Sequence, residues 1–138
     1  MHKVVLRYKD GRTVKGKLLS FQQSQPFLTI DEDMGGVTET ARVEDLKAVF
    51  YVKDYEGAST YHEQKIFRTE GGYGRKTIVR FVDGEELWGY TQGYAPNREG
   101  FFLFPSDGAS NNSRIFVVND AVKDVRFPED EFTYRKAV

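Results

Sequence analysis

Few side chains in this sequence have the types and spacing that catalysis needs. There is no cysteine, which excludes a thiolate nucleophile, a disulfide framework and a Cys-ligated metal. The histidines are His2, next to the N-terminus, and His62, whose neighbour Glu63 is not followed by the second histidine of a zincin helix. Asp31-Glu32-Asp33 could attract a cation, but it lacks EF-hand spacing and reads as a solvated hairpin turn. Gly71-Gly72-Tyr73-Gly74-Arg75-Lys76 has the glycines of a phosphate loop. It lacks Walker spacing and leads into a strand pattern, so it reads as a flexible joint. Glu85-Glu86 flanks a hairpin turn, where acid–base work has no pocket. No G-x-S-x-G elbow is present. The sequence therefore predicts a protein that is not an enzyme and takes no cofactor and no metal.

The elements that position any remaining site come from a repeat. Residues 4–11 (VVLRYKDG) slide onto residues 77–84 (TIVRFVDG) with an offset of 73. Arg7/Arg80, Asp10/Asp83, Gly11/Gly84 and Gly16/Gly89 are identical, and the apolar positions agree. Further on, Leu46-Lys47-Ala48-Val49 falls on Val122-Lys123-Asp124-Val125 at an offset of 76, so the second copy carries three extra residues. Two copies are too few for a solenoid.

Each copy reads as all-β. Asp-Gly pairs between alternating segments are a strong hairpin signal. Val4, Leu6 and Tyr8 share one face with Val14, Gly16 and Leu18; Thr77, Val79 and Phe81 do so with Leu87, Gly89 and Thr91. An inward glycine in mid-strand marks a bend or a close backbone approach, as at a barrel corner. Further strands are expected at 27–30, 37–43 and 46–52, and at 101–104, 114–118 and 122–127. Single 3₁₀ turns are expected at Glu44-Asp45 and Asn119-Asp120. The predicted fold is all-β, with two tandem five-stranded small barrels at 1–56 and 75–128. A linker over 57–74 holds at most one short helix, begun by the capping box Thr60-x-x-Glu63 and ending near Phe67. The charged tail, 129–138, is expected to fray.

Leu6-x-x-x-Asp10-Gly11-Arg12-x-x-x-Gly16-x-Leu18-x-x-Phe21 resembles the first signature of the Sm-like small barrels, and more generally the SH3-like barrel pattern. The resemblance covers about 20 residues of the first copy and fewer of the second, where Glu85 replaces the arginine. It implies a strand–hairpin–bent strand barrel. The family's RNA-contacting positions differ here: the loop before the third strand is Gln22-Gln23-Ser24-Gln25-Pro26. Glu44-Asp45 and Asn119-Asp120 stand where an Arg-Gly pair would be. The cyclic-dinucleotide motifs of PilZ domains are likewise absent, since the Arg75 to Arg80 spacing and the position of Ser110 do not match.

With 138 residues, 20 basic and 21 acidic, the chain carries a net charge of −1. Such a balance gives no general attraction to nucleic acid or anionic lipid, so any patch must be local. No apolar run approaches the ~20 residues that span a bilayer. The first residues lack a signal-peptide core, so a cytoplasmic protein without membrane insertion is expected. The two first hairpins diverge most on the face opposite the glycines. Residues 1–19 hold six basic residues and one acid, and Lys3, Arg7, Lys9, Lys15 and Lys17 are the nucleic-acid-binding candidates. On the equivalent face the second copy has Ile78, Arg80, Val82, Glu86, Trp88 and Tyr90. These give a protein-docking candidate built on Ile78, Trp88 and Tyr90, or else a surface packed against the other copy or the linker. A second recognition candidate is the loop over 93–100, with Tyr94 and Arg98 as contact groups, beside residues 106–113. The leading expectation is a protein-interaction or scaffold module with an unidentified protein partner. The alternative is RNA or single-stranded nucleic-acid binding, and an outward apolar face would also allow a homodimer.

Overall fold

Alternation and Asp-Gly turns produce strands throughout. The computed structural model describes residues 2–32, 36–56, 62–67, 74–130 and 132–135. The first five strands are β1 (Lys3–Tyr8), β2 (Thr13–Ser20), β3 (Phe27–Glu32), β4 (Thr38–Arg42) and β5 (Leu46–Val52). The next five are β6 (Arg75–Phe81), β7 (Glu86–Thr91), β8 (Gly100–Pro105), β9 (Asn112–Val118) and β10 (Val122–Phe127). A short β11 (Phe132–Arg135) follows. Among the described residues there is no α-helix, and 3₁₀ turns occupy Val43–Asp45, Asn119–Ala121 and Pro128–Asp130.

All eleven strands form one open antiparallel sheet in the order β11-β10-β6-β7-β8-β9-β5-β1-β2-β3-β4. The two halves use the same internal order and the same registers. Arg7 faces Ala48 and Leu6 faces Val49, as Arg80 faces Asp124 and Val79 faces Val125. The register slips at the same place in both halves, with Tyr8 facing Leu46 and Phe81 facing Val122. Val4 faces Gly16 as Thr77 faces Gly89. A Cβ on Gly16 would lie 2.5 Å from the carbonyl oxygen of Asp31, and one on Gly89 2.3 Å from that of Phe104. Only a hydrogen fits there, which is what lets the neighbouring strand cross so closely.

The halves meet where β5 pairs with β9, from Ala48 opposite Val117 to Val52 opposite Asn112. These two strands are buried on both faces. Val49 and Tyr51 face a cluster with Val4, Leu6, Leu28, Ile30, Phe116 and Val118. Ala48 and Phe50 face the other cluster, with Val79, Phe81, Phe101, Ile115, Val117 and Val125. Each half therefore lends a strand to the other half's core. That explains the nearly continuous apolar runs over 48–52 and 115–118, which contrast with the alternation of β1 and β2.

Two segments outside the repeats take their form from contacts with the second half. The part of the linker helix that falls on described residues, His62–Phe67, is irregular; Thr60 and residues 68–73 lie outside the described residues. Glu63 accepts a hydrogen bond from the Ser110 hydroxyl, and the Gln64 backbone N–H donates to the Asp107 carboxylate at 2.8 Å. These tertiary bonds tie the segment to the loop between β8 and β9. The charged tail, expected to fray, instead pairs through β11 with β10.

Candidate functional site

A cavity of about 580 Å³ opens beside the loop between β7 and β8. That loop is positioned from the 3₁₀ turn after β9. Asn119 donates its side-chain amide to the carbonyls of Ala95 at 2.8 Å and Arg98 at 2.9 Å. Its backbone N–H reaches Glu99 at 2.9 Å, and Arg98 N–H closes a turn on Ala95. One asparagine thus fixes both ends of the turn that presents Tyr94 and Arg98 to the cavity.

Tyr94 forms the aromatic wall. Its ring meets Phe101 edge-on at 4.9 Å, Phe127 at 5.4 Å and Tyr134 at 5.7 Å. Burial, reinforced by the neighbouring Tyr134 phenol, pushes the Tyr94 hydroxyl up to about 12. It stays neutral at ordinary pH and remains a hydrogen-bonding group. Opposite lie Lys123, Asp124 and Asp120, with Gln23 and Ser24 contributed by the first half. Asp124 is 3% exposed and accepts from the Arg80 guanidinium at 2.6 and 3.1 Å through one oxygen. The cavity thus joins an aromatic wall, amides and charges of both signs. Such a set suits binding of a polar, partly aromatic surface.

Sequence reasoning found Tyr94 and Arg98 here but missed Asn119, Lys123, Asp124 and Tyr134. The available signal was the period-two pair Phe132 and Tyr134 in an otherwise charged tail.

The other docking candidates lie elsewhere. Trp88 stacks under Phe67 at 5.0 Å, and its indole N–H donates to Glu86 at 2.7 Å. Phe67 also meets Tyr90 edge-on, and both Tyr90 and Ile78 are buried. Trp88 and Tyr90, expected to point outward, are therefore covered by Phe67 of the segment that links the halves. Val82 stays 68% exposed.

The basic hairpin is partly engaged within the chain. Arg7 lies 3.8 Å from Glu85, and Lys9 pairs with Asp120 of the second half. Lys15 donates to the carbonyl of Tyr55 at 3.0 Å, and Lys3 sits over the Tyr55 ring. Lys17 is exposed. Sequence reasoning did not single out Lys47, which is only 6% exposed. It donates to Asp83 at 2.7 Å and to Glu85, at the turn between β6 and β7, and lies over the Phe81 ring. That hydrogen bond, with the Glu85 N–H, holds the Asp83 carboxyl below its ordinary range. Of the acidic run near β3, Asp31 and Glu32 end that strand, and Asp33 lies outside the described residues.

Among the described residues, no helix is long and apolar enough to cross a membrane. Residues 1–127 match a family of unknown function, DUF6982, and the chain belongs to that family; β11 lies beyond the matched stretch. No curated protein and no solved structure matches the chain.

Proposed function

We propose that this member of the family is a non-catalytic protein-interaction or scaffold module, built from two tandem small barrels of SH3-like or Sm-like type. The barrel reading is supported by the strand orders β5-β1-β2-β3-β4 and β10-β6-β7-β8-β9, by the close crossings at Gly16 and Gly89, and by the Asp-Gly hairpins. The observation that carries the functional reading is the cavity that sets Tyr94 and Tyr134 beside Arg98, Lys123 and the Gln23 amide. Rigid aromatics with adaptable polar groups around them are the composition of recognition sites. Binding to nucleic acid is the weaker reading, because Arg7 and Lys9 are engaged by Glu85 and Asp120 of the same chain.

The test is affinity capture from a native lysate with the full chain as bait. A protein retained by the wild type should fall at least about tenfold with Arg98→Glu, the size of loss a central contact gives. It should be unmoved by Lys15→Glu combined with Lys17→Glu. Retention of RNA that falls steeply with salt and with the lysine changes would replace this reading with the nucleic-acid one.

A further inference from the structure

The outer edge of β10 and the outer edge of β5 are the same edge in the two halves, and they are covered in the same way. On β5, β9 sets Val117, Phe116, Ile115 and Arg114 opposite Ala48, Val49, Phe50 and Tyr51. On β10, β11 sets Arg135, Tyr134, Thr133 and Phe132 opposite Asp124, Val125, Arg126 and Phe127. Direction and register agree over four successive pairs. The side-chain contact agrees too. Phe116, across from Val49, meets Phe21 edge-on at 4.8 Å, while Tyr134, across from Val125, meets Tyr94 edge-on at 5.7 Å. Phe21 and Tyr94 are themselves equivalent at the offset of 73. The C-terminal strand thus occupies on the second half the slot that a whole neighbouring half occupies on the first.

We infer that β11 is a built-in cap that keeps the chain from adding a second copy of itself at β10, and that its release opens this edge to the β4 edge of that copy. Continuity with the β5–β9 joint selects this occupant. β4 is the equivalent of β9, because Ala41 faces Leu28 as Val117 faces Phe101. It also ends the sheet, with no strand among the described residues on its outer side. The joint is head-to-tail and leaves a free edge at each end, so it propagates or closes a ring.

The charges at the joint follow the same equivalence. Lys47 is held by Asp83 and Glu85 at the turn of the abutting half. Its equivalent Lys123 is exposed, and the turn that would meet it carries Asp10 and Arg12. Asp10 makes the same turn as Asp83: its carboxylate takes the Arg12 N–H at 2.9 Å, as that of Asp83 takes the Glu85 N–H at 3.0 Å. Two residues make the joint between copies weaker than the β5–β9 joint. Thr40 stands where β9 has Phe116, and Arg12 stands where the second half has Glu85. A four-residue strand on the same chain, at high effective concentration, prevails over that weakened joint.

The test is light scattering of the full chain across a concentration series. The wild type is expected to be a monomer. Thr133→Pro with Tyr134→Ala, checked by an unchanged circular dichroism spectrum, should associate, with the weight-average mass rising roughly twofold or more. Adding Arg12→Glu should tighten that association several-fold, and Lys123→Glu on top should reverse the gain. A cap-broken chain that stays monomeric overturns the proposal. So does association that ignores Arg12→Glu and Lys123→Glu, which is the result given by strand exchange or non-specific aggregation. A wild type that associates as strongly as the variant overturns it as well. If the double variant loses structure, Tyr134→Ala alone is scored by the same criteria.

Discussion

β5 and β10 start from nearly the same geometry and end in different company. β5 is covered along its length by β9, which also belongs to the other half's core, and both of its faces are buried. β10 is covered over four residues by β11, whose Tyr134 remains 38% exposed. The register is the same; the apolar area behind it is not. The difference teaches that strand pairing defines where a neighbour sits, while burial on both faces decides whether it stays.

The sharpest way to break the comparison is to cut into the deep joint. Phe116 has no exposed surface and packs on Phe21 and Phe102. Phe116→Ala should destabilise by roughly 3–5 kcal/mol. Because β9 serves both cores, Trp88 fluorescence in the second half should follow urea unfolding at the same midpoint as far-UV circular dichroism. Two separated transitions would show that the halves are independent.

A smaller loss is expected from Lys47→Met. Lys47 is buried, but Asp83 and Glu85 are partly exposed, so the loss lies between a surface pair and a buried one, about 1–2 kcal/mol. Lys123→Met, at the equivalent exposed position, should stay within about 0.5 kcal/mol. The Asp83 carboxyl is depressed when folded, so its share of stability is present above its unfolded value of 3.8 and disappears as pH falls through the folded one. Lys47→Met should flatten that acid limb of an unfolding curve measured against pH.

Smaller still is Tyr134→Ala. Losing one edge-on aromatic contact should cost about 1 kcal/mol, read as faster hydrogen exchange in β10 with β5 unchanged. Silent at neutral pH is the Tyr94 phenol, which is protonated there in both the folded and the unfolded chain. It should ionise only at about 12, seen as ultraviolet difference absorbance, with folding stability lost as pH climbs from the ordinary tyrosine value of 10.0 to that point. In the Tyr134→Ala protein the ionisation should move down, because the neighbouring phenol is gone and Tyr94 is less buried.

Much of this fold is legible in local pattern. Alternation put Val4, Leu6 and Tyr8 on the inner face and Gly16 and Gly89 at close crossings, and β10 runs over the expected 122–127. The turns at Glu44-Asp45 and Asn119-Asp120 are 3₁₀ as expected. The losses are long-range. The sequence places Trp88 and Tyr90 opposite Gly89, but Phe67 covers them from more than twenty residues away. Thr60-x-x-Glu63 reads as a helix start until Ser110 claims Glu63. The acidic run over 129–131 hides the short strand behind it, because what orders Tyr134 is a distant aromatic, Tyr94. Within the cavity, Tyr94 and Arg98 could be picked out by type, whereas Lys123 and Asp124 read as ordinary strand residues.

The β5–β9 ladder also sets a timetable. Its partners lie 60 to 69 residues apart, from Val52 with Asn112 to Ala48 with Val117. At translation speeds of about 5–20 residues per second, β5 leaves the ribosome roughly 3–14 seconds before β9 exists to cover it. For that interval the nascent first half carries a naked apolar edge, Ala48 to Tyr51, whose only company is β1 on the other side. A strand made late, β9, is therefore the one that lets the first half finish folding.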